Sequence, residues 1–436
     1  MNLADMLQAV REPSGASVMG RGAVMIVQFR HIANASAAVS ECLERCSCVM
    51  EAFLRTALVV FLLLSTTVSK AFSAASEPET VRIGVCLSLT GELSEFGGIY
   101  LCGLNIRLAE FNTHSQESGY RIELLNRDDE SDPGRAAAIT KEFIDTDDVV
   151  AIIGSNSTDV TMAMVDLTRK HGIALVTPSS TNPQFGYPGD TVFRVLFDDD
   201  FQGATLARHT IGKLGLKRAA LIVNNRFTYS RSIAKAFRAA FEKEGGEIVA
   251  EEVFDCTVDD SHDFDFVPLL SRIQKASPDV ILLPSYAPEA SAIIRQSLPL
   301  GMKALFCGSD AWHADAMLYE SGNGLENGYY TGIMDDRVET LEMRAFMDML
   351  DNSNDKHAEM ASALGYDALS ILIKAMETGR SRREIVEGMY RIKDFPLTTG
   401  HITIDRNRGI IKPAYIVTIV KNNYDFIRKT TNVVIP

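Results

Sequence analysis

"VVAIIGSNSTDVTMAMVDLTRKHGIALVTPSSTNP" (residues 149–183) contains two short apolar runs separated by a helical pattern. The runs VVAIIGS and GIALVTP are β-branched and lack polar alternation, as expected of strands buried on both faces of a parallel sheet. A helix is predicted between them, from about Asp159 to Lys170. Each run stops at a cluster of hydroxyls, SNSTD after the first and TPSSTNP after the second. The prolines mark the second cluster as a turn. In an open parallel sheet, however, ligands bind beyond the carboxyl ends of strands, where both clusters fall.

The same rhythm extends in both directions. Upstream, VRIGVCLSL reads as a strand, and GGIYLCGLNIRLAEFN as a helix with Leu101, Leu104, Leu108 and Phe111 on one face. YRIELLNRD is the next strand. Asp132 and Pro133 then supply an N-cap and a first helical residue for SDPGRAAAITKEFID. The pattern restarts after FRVLFDDDFQ. Helices QGATLARHTIGKLG, SRSIAKAFRAAFEKEGG, FVPLLSRIQKAS and PEASAIIRQSLPLG alternate with strands RAALIVNN, EIVAEEVF, DVILLPS and KALFCGSD. Two such runs predict an α/β protein with two doubly wound, Rossmann-like lobes and a ligand cleft between them. The tail HITIDRNRGIIKPAYIVTIV predicts a hairpin turning at DRNRG, which matches only half of a calcium loop.

A chain of 436 residues exceeds one ordinary core, which agrees with two domains. Its formal net charge of −14 argues against nucleic acid or an anionic membrane as the main partner. Residues 50–75 do not read as fold. Arg55 precedes the apolar stretch from Thr56 to Val68, and Ala71, Ser73, Ala74 and Ala75 follow. This is the pattern of a secretory signal cleaved after Ser73 or Ala75, although a membrane anchor has similar features. No cysteine stands at the cleavage site, which argues against a lipid anchor. Residues 1–49 are then a doubtful extension, with Met50 the expected start.

Cys42, Cys46 and Cys48 lie in that extension without a second ligand pair, so no metal site is expected from them. Cys86, Cys102, Cys256 and Cys307 lie in or near apolar runs and are expected as buried thiols; an oxidising compartment would allow a Cys86–Cys102 disulfide, which the sequence does not itself specify.

Applying the strand-end rule gives a candidate set. Phe96 follows the first strand, Thr158 opens the helix after VVAIIGS, and Ser179 and Thr181 lie in TPSSTNP. In the second run the strand ends lead to Tyr229, Tyr286 and Asp310. The helix start at Thr158 offers N–H groups to an anion. Asp310 can pair with an ammonium, and the aromatics supply apolar walls. The set suits a small zwitterion. Singly, each residue has a plainer role as cap, turn or core residue.

No P-loop, HExxH or GxSxG motif occurs, so no catalytic residue, metal or cofactor is expected. His313 is the one histidine near the proposed cleft and reads as a surface residue. DDSHDFD (259–265) reads as a solvated acidic loop.

These segments, in this order, resemble the type I periplasmic solute-binding proteins of ABC transporters, in particular the leucine/isoleucine/valine (branched-chain amino acid) receptors. The resemblance covers nearly all of residues 80–430. It rests on IGVCLSLTGELSEFGG, DDESDPGRAAAITKEFI, IIGSNSTDVTMAM with GIALVTPSSTNP, YSRSIAKAFRAAFEKEGGEIV, SPDVILLPSYAPEASAIIRQ, GYDAL and TGHITIDRNRGIIKPAYIV. It implies lobes of residues 76–195 plus 335–398 and 196–334 plus 399–436, with crossings near Val195, Met334 and Thr399. It implies that Thr158 and Thr181 bind an amino acid's carboxylate. Thr181, the Ser179 carbonyl and Asp310 would hold the ammonium, and Phe96, Tyr229 and Tyr286 would line the side-chain pocket. The leucine-type receptors carry tryptophan in place of Phe96 and glutamate in place of Asp310, so the exact ligand transfers less well than the general function.

The implied protein is a monomeric, periplasmic, non-catalytic substrate-binding component that delivers an amino acid to a membrane permease. The alternatives are an amide- or urea-type receptor, a sensory binding protein with a separate signalling partner, and a hydrolase on the same scaffold.

Overall fold

The computed structural model describes Thr56, Leu58 and residues 78–434, except 314–315, 336, 338–339, 408 and 423–424. Met1–Glu77 and Pro78–Pro436 are separate compact units. In the first, only Thr56 and Leu58 are described, both helical and exposed. Its three cysteines and the signal cleavage positions therefore lie outside the described residues. Everything below concerns the second unit.

Five parallel strands form the first sheet: β1 (Glu79–Leu87), β2 (Tyr120–Asp128), β3 (Ala151–Gly154), β4 (Ala174–Thr177) and β5 (Val192–Arg194), in the order β2-β1-β3-β4-β5. Its helices are α1 (Ser94–Thr113), α2 (Pro133–Asp145) and α3 (Thr158–His171). The Asp132 side chain accepts the Arg135 N–H and Pro133 follows it, so α2 begins where its N-cap chemistry dictates. The face of α1 differs from expectation. Phe96, Ile99, Tyr100, Gly103 and Leu104 are buried, whereas Leu101, Leu108 and Phe111 are half-buried.

The second sheet has seven strands. Its parallel part is β6 (Arg218–Asn224), β7 (Glu247–Phe254), β8 (Val280–Leu282), β9 (Leu305–Gly308) and β10 (Tyr329–Gly332). The order β7-β6-β8-β9-β10 repeats that of the first sheet. β13 (Ala414–Asn422) and β14 (Asp425–Val434) add an antiparallel edge. Helices α4 (Asp199–Gly212), α5 (Thr228–Lys243), α6 (Val267–Lys275) and α7 (Ala287–Ser297) connect these strands. The predicted hairpin is present as β11 (Thr403–Asp405) and β12 (Gly409–Ile411). Strands β5, β10 and β14 have no counterpart in the sequence reading.

Helices cover both faces of each sheet. On one face of the first sheet, Ile152 and Leu175 pack with Phe143 of α2 and Met164 of α3. On the other, Ile83 and Val85 join the cluster that contains α1. Similarly, Leu221 and Leu282 pack with Phe237 and Phe241 of α5, while Ile222 and Ile281 pack towards α6 and α7.

The late segment α8 (Leu341–Asp351), α9 (Ala363–Met376) and α10 (Arg382–Met389) returns to the first sheet, with α9 packed on α1. That crossing requires glycine. A Cβ on Gly103 would lie 1.8 Å from the Ser362 carbonyl oxygen, and one on Gly365 would lie 1.9 Å from that of Tyr100.

Candidate functional site

Both sheets share the strand order in which a crevice opens beside the first strand, at its carboxyl end. A cleft with about 520 Å³ of unfilled space lies there. From the first sheet's strand ends it is lined by Phe96, Asn156, Thr158, Ser179 and Ser180, and from the second's by Tyr229, Tyr286, Asp310, Ala311 and His313. Tyr100, Ile333, Ala361 and Leu364 complete the wall. No lysine or arginine is among these lining residues.

Six of the seven sequence-derived residues therefore meet in one space: Phe96, Thr158, Ser179, Tyr229, Tyr286 and Asp310. Thr181 is not among the lining residues. It is fully buried, and its hydroxyl donates to Asp199 Oδ1 at 2.6 Å. The Asp199 N–H in turn donates to the Thr181 carbonyl at 2.9 Å. The hydroxyl hydrogen is thus committed, leaving Thr181 Oγ1 as an acceptor only. His313 is also placed differently from its reading as a surface residue. It is buried in the cleft wall, with Nδ1 3.3 Å from the Tyr330 hydroxyl, because β9 ends in a helical turn (Asp310–His313) that folds inward. Gly308 makes that turn possible, since a Cβ there would lie 2.0 Å from the Trp312 indole.

Asp310 is the charged group of the site. One carboxylate oxygen accepts the Tyr229 hydroxyl at 2.6 Å, and that hydroxyl lies 2.7 Å from Ser309 Oγ. The Asp310 N–H donates to Gln202 Oε1 at 2.8 Å, which ties the turn to α4. Burial pushes the Asp310 carboxyl up to about 6, against the opposing hydrogen bond from Tyr229. A cationic ligand group would supply the counter-charge that the lining residues lack.

The opposite wall holds a helix N-terminus, whose first turn also carries Asp159. Helix α3 starts at Thr158, and Ser157 at its N-cap makes no capping bond. The neighbouring TPSSTNP turn is cross-tied. Thr177 Oγ1 donates to the Ser155 carbonyl at 2.8 Å and accepts the Ser180 N–H at 2.9 Å. The Ser179 hydroxyl donates to the Asn156 carbonyl at 3.3 Å. Rings close the remaining sides, with Tyr286 5.4 Å from Phe96 and 5.6 Å from Tyr229 between centroids.

Tyr100, Asn156, Ser180, Ala361 and Leu364 were not singled out by sequence. Tyr100 had a signal, one helical turn after Phe96. Ala361 and Leu364 had none, because they arrive through the late return of α9 and the turn before it. Cys86, Cys102, Cys256 and Cys307 are free and buried, and no Cys86–Cys102 bond is present. Among the described residues there is no cluster of metal ligands, and no helix long and apolar enough to cross a membrane.

The family model for periplasmic binding proteins matches residues 80–424. An amino acid binding protein of Pseudomonas aeruginosa is 28% identical over 243 residues, covering 56% of this chain and 63% of that protein. The chain thus spans just under two thirds of the curated relatives it matches first. A leucine binding protein, LivK, from Thermotoga maritima aligns with a TM-score of 0.72 and 29% identity, over 82% of this chain and 99% of that one. The branched-chain amino acid transporter substrate binding protein LivJ of Streptococcus pneumoniae, in complex with isoleucine, gives a TM-score of 0.72 and 26% identity, over 82% and 100%.

Proposed function

The chain belongs to the periplasmic binding protein family, and on that premise we propose that it is the extracytoplasmic ligand-binding component of an ABC importer. Its ligand is an amino acid, of the branched-chain type or close to it, carried to a membrane permease without chemical change. The protein acts as a monomer in the periplasm, after removal of the signal at residues 50–75. Its lobes divide as the resemblance implies, at 76–195 plus 335–398 and 196–334 plus 399–436.

One observation carries this reading: the buried Asp310 carboxylate faces the same cleft as the uncapped start of α3, with aromatic rings between. The ligand's carboxylate sits at Thr158 and the first turn of α3. Its ammonium sits at Asp310, with Ser179 contributing its carbonyl and Thr181 Oγ1 accepting a further hydrogen bond. Phe96, Tyr229 and Tyr286 enclose the side chain. The buried acid favours this over an amide or urea ligand, which brings no cation to offset the cost of ionising Asp310.

The test is a thermal-shift screen of ligand-stripped protein against amino acids, amides and small organic acids. A specific ligand at a hundred-fold excess over Kd stabilises by about 2.7 kcal/mol. A shift with amino acids alone supports the reading. A shift only with amides or acids, or none with any amino acid, overturns it.

A further inference from the structure

Helix α5 lacks a cap of its own. It begins at Thr228, and Phe227 at its N-cap position makes no side-chain bond to the first turn. The missing acceptor comes from across the cleft. The Thr228 N–H donates to Asp159 Oδ2 at 3.1 Å, and the Thr228 hydroxyl donates to Asp159 Oδ1. Asp159 lies in the first turn of α3, one residue after Thr158, but is not among the cleft-lining residues. A second tie runs beside it. Glu92, after β1, pairs with Arg226 at 2.9 Å and accepts the Val258 N–H at 3.4 Å. In both ties the acid follows a strand of the first sheet, and the donors follow strands of the second.

We propose that Asp159 is a positioning residue for ligand capture, capping α5 in trans so that the cleft is held shut by a contact the ligand does not make. The proposal rests on the reading that this cleft binds a ligand. Opening the cleft strips α5 of the one side-chain acceptor at that end among the described residues and leaves the first-turn N–H to water. The cap is therefore gained only on closure and shifts the open–closed equilibrium towards the closed form. A ligand enters through the open form and leaves through it. A tie that favours closure slows release, and it slows entry to the extent that it lowers the open fraction of the ligand-free protein.

The experiment is a double-mutant cycle on Asp159→Ala and Thr228→Val, read by stopped-flow dissociation and by X-ray scattering of the ligand-free protein. A cap of usual strength corresponds to about a five-fold faster release in Asp159→Ala, and to a smaller gain in Thr228→Val, which keeps the N–H bond and loses only that of the hydroxyl. Expected alongside are an association rate that rises with the open fraction seen by scattering, a double variant no faster than Asp159→Ala alone, and recovery by Asp159→Asn, since asparagine caps as well as aspartate. Ligand-free Asp159→Ala is expected to show a larger radius of gyration than wild type.

Release effects that multiply in the double variant overturn the proposal, as does wild-type release from Asp159→Ala. If wild type binds no amino acid, the functional reading fails by itself. Scattering then decides the cap alone: a larger Asp159→Ala supports it, and equal radii overturn it.

Discussion

Asp310 keeps a carboxyl group in a cleft wall where no lysine or arginine lines the same space. Unfolded, that group titrates near 3.8; folded, burial moves it to about 6. Between those values the unfolded chain has released its proton while the native protein has not. Stability therefore falls as pH rises through this window, and the full cost stands above it. At neutral pH the cost amounts to at most about 3 kcal/mol. Asp310→Asn removes the charge but keeps the shape. Its ligand-free form is expected to melt a few degrees above wild type at pH 7, yet to lose the ligand-induced shift. Unchanged melting together with retained binding would remove Asp310 from the site. The sequence made this residue visible because it stands at a strand's carboxyl end. It could not show that Thr181, equally well placed in the chain, spends its hydroxyl on Asp199. That contact depends on how the α4 start folds back against the turn.

At the scale of elements, strands and helices were legible wherever period and caps agreed, as at Asp132 and Pro133 of α2. What failed was the choice of face on α1. Its apolar residues fit more than one stripe, and the deciding partner, α9, returns from far along the chain. The glycines at that crossing carry the missing information. In Gly103→Ala the new methyl meets the Ser362 carbonyl, a rigid backbone atom, so α1 and α9 must move apart. Such overpacking costs about 1–3 kcal/mol. Gly212, the last residue of α4, is the contrast, since a Cβ there meets nothing within 4 Å. Gly212→Ala is expected to be neutral or to stabilise by about 0.4–1 kcal/mol through the unfolded state. Urea midpoints at unchanged slope measure both. Equal midpoints for the two variants would mean that the crossing tolerates separation. The same late return explains why Ala361, in the turn before α9, and Leu364, in its first turn, were missed at the site.

Across the whole molecule, the two sheets repeat one strand order and turn their strand ends to one cleft; Asp310 lines it, and two further acids are buried outside its lining. Asp199 and Glu289 are each pushed by burial up to about 8, besides Asp310 at about 6. Their ordinary values lie at 3.8, 4.5 and 3.8, so each folded group keeps its proton to higher pH than its unfolded counterpart. All three therefore act in one direction: ligand-free stability falls as pH rises from about 4 to about 8. The net charge of −14 adds self-repulsion of the same sign. Lys412 opposes them, but in a separate window. Burial lowers its folded value from 10.5 to about 8, so between those values the unfolded chain holds the extra proton and stability rises with pH. The thiols of Cys86, Cys102, Cys256 and Cys307, all pushed up from 9.0 by burial, act against Lys412 within that same window. Glu289→Gln isolates one contribution, because Glu289 holds Asn224 and the Tyr286 N–H and is not among the cleft-lining residues. Denaturant titrations from pH 4 to pH 10 are expected to show a shallower decline for this variant than for wild type. A saturating cationic ligand should flatten the Asp310 part of the curve, since its ammonium supplies the missing counter-charge. A ligand-free stability that climbs steadily from pH 4 to pH 8 would show that the buried acids are compensated in solution, and the electrostatic case for an ammonium at Asp310 would fall with it.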